Sequence, residues 1–453
     1  MSVNHQPRPA VSVTTNACKL CTPLGACLAF RGIEGTVPLL HGSQGCSTYI
    51  RRYIISHFKE PIDVASSNFS ESSAIFGGGV NLATALQNVT AQYHPELIAV
   101  ASTCLSETIG DDVPLFIRQY RREHPERPPE IIHVSTPSYR GTHMDGFHAA
   151  VRAAVDELAE AGAPERRINL FPGLVSPADL RHLKEIMADF GVDYTLLPDY
   201  SETLDGEIWQ EYQKIAPGGT PLAAIRRTGR AMASFEFSGT IAAEHSTGNL
   251  LKERFGISYL QTAMPIGVRA CDQFFTKLAE VSGNPIPDCY RKERGRLVDS
   301  YVDGHKYIFG KRAVLYGEED LVVSLAGFLA EIGVIPVLCA SGGESGRLAE
   351  AVQAAAPEVA DRITVRDGAD FMDIAELAEK LQPDLIVGNS KGYPLARKLQ
   401  IPLIRVGFPI HDRLGGQRLL HLGYRGTQAL FDRIVNAVIE RQQDASPVGY
   451  SYM

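Results

Sequence analysis

Short apolar runs that stop at glycine or polar turns alternate with stretches of helical period along the whole chain. That alternation predicts an α/β fold of parallel sheets covered by helices. Three such units follow one another. In the first, TVPLL (36–40) leads through HGSQGC into the helical STYIRRYIISHF, LIAVAST (97–103) leads into CLSETIGDDV, and EIIHVST (130–136) stops at Pro137-Ser138. INLF (168–171) opens the second, where Ser176-Pro177-Ala178-Asp179 supplies an N-cap, a proline at the first helical position and a capping-box acid for the helix DLRHLKEIMADF. RAVLYG (312–317) opens the third. A helix over 318–332, strand IPVLCAS, helix FMDIAELAEKLQ, strands DLIVGNS and IPLIRVG, and an amphipathic helix over 427–442 follow. Boundaries are expected at Ala161-Gly162-Ala163-Pro164 and near 310, where DGHKYIFGK interrupts the pattern, giving domains 1–160, 161–310 and 311–453.

A chain of 453 residues is too long for one core, which agrees with several domains. The formal charge of −8 comes with no basic block, so a nucleic-acid partner is not expected. No run approaches the roughly 18 apolar residues of a membrane span, and the start MSVNHQPRPAVSV lacks the basic-then-apolar order of a secretory signal. A cytoplasmic protein without membrane association is the expectation. Eight cysteines are too sparse for a disulfide scaffold at this size, and five of them precede residue 105.

Three of those five, Cys21, Cys46 and Cys104, stand at the mouths of predicted elements, 25 and then 58 positions apart. Such spacing forms no local finger, so folding must bring the three together. In open α/β sheets ligands gather beyond the carboxyl ends of the strands, where Cys46, Cys104 and Ser138 are all predicted. Cys21 precedes Thr22-Pro23-Leu24-Gly25, a helix start whose backbone N–H groups favour thiolate. Thiolates are what iron-sulfur clusters require. Gly42 and Gly45, flanking the approach to Cys46, would let the backbone come close to a bulky inorganic group. Taken alone, HGSQGC reads equally as a structural strand-to-helix turn whose cysteine is a small buried hydrophobe. Cys18 and Cys21 form a C-x-x-C pair, but zinc would need a second pair, and a redox pair normally opens a helix after a strand. Cys27, Cys271, Cys289 and Cys339 read as packing residues, His41 as a residue that orients its loop, and Glu107, Asp111 and Asp112 as acids offsetting a helix dipole. Gly77-Gly78-Gly79 lacks the lysine and Ser/Thr of a phosphate-binding loop, so ATP binding by this chain is not expected.

The segments CTPLGA (21–26), HGSQGC (41–46), STCLSETIGDD (102–112) and STPSYRG (135–141) resemble the β-type subunit of the nitrogenase superfamily. MPIGVRACDQFF, SGNPIP, VGNSKG, RVGFPIHDRLGG and GYRGTQALFD continue that likeness to the chain's end. The resemblance implies three Rossmann-like domains, the component 1 fold. It further implies a homologous α-type subunit in an α2β2 heterotetramer and an 8Fe-7S P-cluster shared across each α/β interface. Carried over residue by residue, Cys21, Cys46 and Cys104 would be this chain's cluster ligands, and Ser138 matches a serine that can bind iron in the oxidised cluster. An ATP-hydrolysing, Fe-protein-like reductase homodimer would deliver the electrons.

Keeping Cys104 and the T-P-S serine favours a catalytic complex over the β-like half of a cofactor-assembly scaffold, although DYSETLDG (199–206) and LGGQRLL are scaffold-like. Molybdenum nitrogenase β-subunits carry a longer extension than the 20 residues before Cys21, and vanadium and iron-only forms usually read C-Q-P-A-G there. The mixture most resembles nitrogenase-like methylthio-alkane reductases, which cleave C–S bonds to methanethiol and a hydrocarbon. A dinitrogen-reducing nitrogenase and the assembly scaffold are the alternatives.

Overall fold

The computed structural model describes residues 2–6, 16–125 and 129–448. Fourteen strands are defined among them: β1 Asn4–His5, β2 Thr36–His41, β3 Ala65–Ser66, β4 Leu97–Ser102, β5 Glu130–Val134, β6 Glu165–Phe171, β7 Asp193–Leu196, β8 Ala231–Phe237, β9 Ser258–Thr262, β10 Arg312–Gly317, β11 Ile335–Ser341, β12 Thr364–Arg366, β13 Leu385–Gly388 and β14 Leu403–Arg405. They form three sheets, ordered β3-β2-β4-β5, β7-β6-β8-β9 and β1-β12-β11-β10-β13-β14. Every pairing within the sheets is parallel. The central strands β2, β4 and β11 are buried along their whole length and β10 beyond Arg312, which is why they read as continuous apolar runs rather than as alternation.

Two features depart from the sequence reading. Strand β1 joins the third sheet, pairing Asn4 with Thr364, so the start of the chain reaches across to its last unit. The polar stretch DGHKYIFGK interrupts the helical pattern less than it reads, because its first six residues complete the 21-residue helix Asp288–Ile308. That helix packs along the C-terminal helix Gly423–Ala445. The expected cap at Ser176 is present: Ser176 Oγ accepts from the Asp179 amide at 3.0 Å, and Asp179 accepts from the Ser176 amide at 3.1 Å. Asp179 also accepts from the His421 amide at 2.7 Å, tying the second unit to the last helix. Among the described residues no helix is long and apolar enough to cross a membrane.

Register in the first sheet places the site. Strands β2 and β4 run in step from Thr36 opposite Leu97 to His41 opposite Ser102, and Ala101 lies opposite Val134. Their carboxyl ends therefore finish along one edge, and the loops beyond them start from a common level. The helix Thr22–Arg31, buried throughout, crosses the helix His143–Leu158 at backbone contact. A Cβ on Gly25 would lie 1.6 Å from the His143 carbonyl oxygen, and one on Gly146 would lie 1.9 Å from the Thr22 carbonyl oxygen.

Candidate cluster-binding site

Each predicted site residue stands at an element end. Cys21 is the N-cap of the helix Thr22–Arg31, with a proline in the first turn. Cys46 lies in the first turn of Gln44–Phe58, after β2, and Cys104 opens Cys104–Ile109, after β4. Ser138 follows β5 in a turn. All three thiols are half-buried. Burial pushes the Cys21 thiol up to about 11, the Leu24 amide at the helix start pulls it down, and charge on Cys46 or Cys104 raises it further. Cys46 and Cys104 therefore lie within electrostatic reach of the Cys21 sulfur. Ser138 joins them, its backbone N–H donating to Cys104 Sγ at 3.2 Å. The turn holding Ser138 is in turn anchored to the Cys21 helix, since Thr22 Oγ1 donates to the Arg140 carbonyl at 3.1 Å.

The surrounding polar residues hold loops in place. His41 is fully buried, with Nδ1 3.1 Å from Ser67 Oγ and Nε2 3.0 Å from Asp111 Oδ2, and Phe69 lies edge-on against its ring. Burial lowers its pKa while Asp111 opposes that shift. Asp111 also accepts from the Gly78 amide at 3.1 Å, so its work is in tertiary contacts and not in a helix dipole. Glu107 likewise binds across strands, accepting from Ser102 Oγ and, at 2.6 Å, from Ser135 Oγ. Glu107 stands in the first turn of Cys104–Ile109 as expected, and Asp112 caps the next helix, Val113–Glu123, accepting from the Leu115 amide at 2.9 Å. Gly42 owes its lack of a side chain to Thr103, whose hydroxyl would lie 2.2 Å from a Cβ there, whereas a Cβ on Gly45 meets only Ser43 Oγ at 3.7 Å.

The remaining cysteines have other surroundings. Cys18 is buried in an apolar cluster with Val314, Tyr316 and Leu338 of the third unit, and burial raises its thiol to about 12. It therefore faces a different part of the fold from Cys21, and the two are free thiols. Cys27, Cys271 and Cys339 are buried as expected, but Cys289 is exposed on the helix Asp288–Ile308 and is not a packing residue. What sequence reasoning missed is the apolar rim. Tyr49, Leu105 and Tyr139, each within a few residues of a site residue, are exposed, as are Ile75, Phe76 (86 %) and Val80. The helix Glu71–Phe76 packs against Cys104–Ile109, so this apolar surface borders the Cys104 side. Large side chains on predicted helix faces that carried no core partner were the available signal.

A family model described as nitrogenase component 1 type oxidoreductase matches residues 21–439, from Cys21 onward. The chain belongs to the nitrogenase component 1 family. Within that family its relatives are β chains. The nitrogenase molybdenum-iron protein beta chain of Clostridium pasteurianum is 36% identical over 431 residues, covering 94% of this chain and 93% of that one. The nitrogenase vanadium-iron protein beta chain of Trichormus variabilis is also 36% identical, over 455 residues, 97% of this chain and 96% of that one. A solved structure described as nitrogenase Cp1 at pH 6.5 superposes with a TM-score of 0.95 at 34% identity, covering 98% of both chains.

The donor set suits the iron-sulfur cluster that this nitrogenase-family likeness implies. Among the described residues no three His, Cys, Asp or Glu side chains are gathered closely enough to hold one metal ion. A polynuclear cluster, with each thiolate on a different iron, accommodates that spread where a single zinc would not. Thiols must lose their protons to bind it, the Cys21 thiol against the upward push of burial, so loading releases protons.

Proposed function

We propose that this chain is the β-type electron-relay subunit of a nitrogenase-like reductase, with Cys21, Cys46 and Cys104 holding half of an 8Fe-7S P-cluster and Ser138 as a further iron ligand in its oxidised form. What supports this reading is three half-buried thiols at three element ends, with the Ser138 amide on Cys104 Sγ and the charges of Cys46 and Cys104 within reach of Cys21. When bound, the cluster supplies one-electron relay. The chain's own residues hold its ligands: His41 and Asp111 fix the Cys46 and Cys104 loops, and the Ser138 amide donates towards the Cys104 sulfur, the kind of bond that tunes a cluster's potential. The unshared side of the trio calls for further thiolates from a homologous α-type subunit in an α2β2 assembly. The exposed Ile75, Phe76 and Val80 surface fits the docking of an ATP-dependent, Fe-protein-like reductase homodimer near the relay. Residues 1–160 would form the cluster-binding domain, and 161–310 and 311–453 the second and third.

The substrate belongs to the partner's cofactor. For the substrate we put forward reductive C–S cleavage of methylthioethers on the C-T-P-L-G motif alone; the molybdenum-type and vanadium-type β-chain relatives do not favour it. Dinitrogen reduction, which the relatives' names carry, fits at least as well. The scaffold-like segments DYSETLDG and LGGQRLL meet in an ion pair, Arg418 Nη1 to Asp205 Oδ1 at 3.3 Å, which accounts for them structurally.

The test is anaerobic purification of the complex with its α-type partner, iron quantitation, and turnover with reductase and ATP on dinitrogen and a methylthioether in parallel. Methanethiol assigns C–S cleavage, and ammonia without methanethiol assigns dinitrogen. A transferable cluster without turnover assigns the scaffold. Iron content unchanged in Cys46→Ala would overturn the site.

A further inference from the structure

Glu107 lies one turn beyond Cys104, on the face of its helix that turns back to the strand ends. One carboxylate oxygen, Oε1, takes two hydroxyl donors: Ser102 Oγ at the end of β4, and Ser135 Oγ just past β5, at 2.6 Å. Ser102 extends the chain, because its Oγ accepts from the Thr136 amide at 2.8 Å while Thr136 Oγ1 donates to the Ser102 carbonyl at 2.6 Å. Ser135 and Thr136 are thereby clamped to the Cys104 helix. Two residues later the Ser138 amide reaches Cys104 Sγ at 3.2 Å. A carboxylate suits this role, since charge-assisted O–H···O bonds are short and one oxygen can serve both donors.

We propose that Glu107 is a positioning residue that sets how closely Ser138 approaches the Cys104 sulfur, and through it the stability of the oxidised cluster. The proposal rests on the cluster reading above. Without the carboxylate, the turn loses the tie of Ser135 to the Cys104 helix and is held only by Thr136 on Ser102 at the strand end and by Thr22 at Arg140 on the far side. Ser138 then leaves the sulfur part of the time, and its reach to iron in the oxidised state is lost with it.

The experiment compares the wild-type complex with E107A, E107Q, S135A and S138A by iron content, redox titration of the cluster's oxidised-state EPR signal, and amide exchange over residues 135–139. E107A is expected to retain iron, to accelerate exchange in this segment about tenfold, and to shift the oxidation midpoint upward as S138A does. E107A and S138A combined should shift it no further than either alone. E107Q keeps an acceptor oxygen in place and should hold exchange near wild type. Ser135 is exposed, so S135A tests one arm of the clamp even where E107A fails to assemble, with the same changes at smaller size. Wild-type exchange and midpoint in E107A, or in S135A where E107A does not assemble, would overturn the proposal, as would additive effects of E107A and S138A. A wild-type complex without iron would instead overturn the cluster reading itself, and this proposal with it.

Discussion

Gly25 is the point at which packing and the cluster site are most tightly coupled. An alanine methyl there would sit 1.6 Å from the His143 carbonyl oxygen, 2.5 Å from its carbon and 2.9 Å from the Phe147 amide nitrogen. All three are backbone atoms of the facing helix, so no side chain can rotate away. Restoring ordinary contact requires the helices Thr22–Arg31 and His143–Leu158 to separate locally by about 1.8 Å. Gly146, against the Thr22 carbonyl, shows that the crossing is tight from both sides. Overpacking of this kind costs about 3 kcal/mol or more. If the chain unfolds as a unit, an entropy scaled to its length converts that into a Tm loss of about 3 °C. The site should suffer more than the fold. Cys21 caps the same helix one turn earlier, and ligand positions tolerate displacements of only about 0.2 Å. G25A is therefore expected to leave a folded chain, by circular dichroism and thermal melting, with iron per complex reduced well below wild type. Wild-type iron content together with a wild-type Tm would refute the reasoning, because it would mean that the two helices can part without moving Cys21.

Gly45→Ala offers the contrast. The chain leaves that Cβ open space, so thermal stability should hold or rise slightly with the better helix former, and a loss of iron from such a stable variant would report the bound cluster's own need for room. Asp111→Ala strands the His41 ring nitrogen and the Gly78 amide in a buried site and should cost about 1–3 kcal/mol in a denaturation experiment. Burial holds the His57 imidazole down to about 3, with its Nδ1 accepting from the Ile410 amide at 2.8 Å. The unfolded chain takes up that proton near 6.5 while the folded chain does not, so this stability is complete above 6.5 and drains as pH falls towards 3. The limit is about 4–5 kcal/mol. Melting curves of H57Q, which keeps an acceptor, should show a shallower acid limb. In the iron-free chain, Cys21 should resist alkylation at pH 8 and react faster as pH approaches 11. Fast reaction at pH 7, followed by peptide mapping, would contradict its burial.

The element ends on which the candidate site residues stand were legible before any coordinates, because they lie where chain grammar is strongest. A buried parallel strand is a continuous apolar run, and the residue just beyond it must turn, so HGSQGC and STCLSE announced the element ends. Other parts were illegible for a common reason. Buried Ser234 and Glu236 break the apolar run of β8 and Ser258, Gln261 and Thr262 that of β9, the pairing of β1 with β12 spans most of the chain, and DGHKYIFGK is polar because one face of a helix is solvated.

The roles of individual polar residues depended on partners far away in sequence. Glu107 and Asp111 look alike as acids near a helix start, yet one meets Ser135 and the other His41. Gly42 and Gly45 look alike beside Cys46, yet only one has Thr103 against it. Local sequence determines backbone propensity, burial pattern and the types of donor available, since those depend on a few neighbouring residues. Which donors face one another depends on strand register and helix crossings summed over the whole chain. Tertiary structure alone therefore decided that the Ser138 amide sits against the Cys104 sulfur, that Cys18 is buried among residues of the third unit, and that Tyr49, Leu105 and Tyr139 stay exposed.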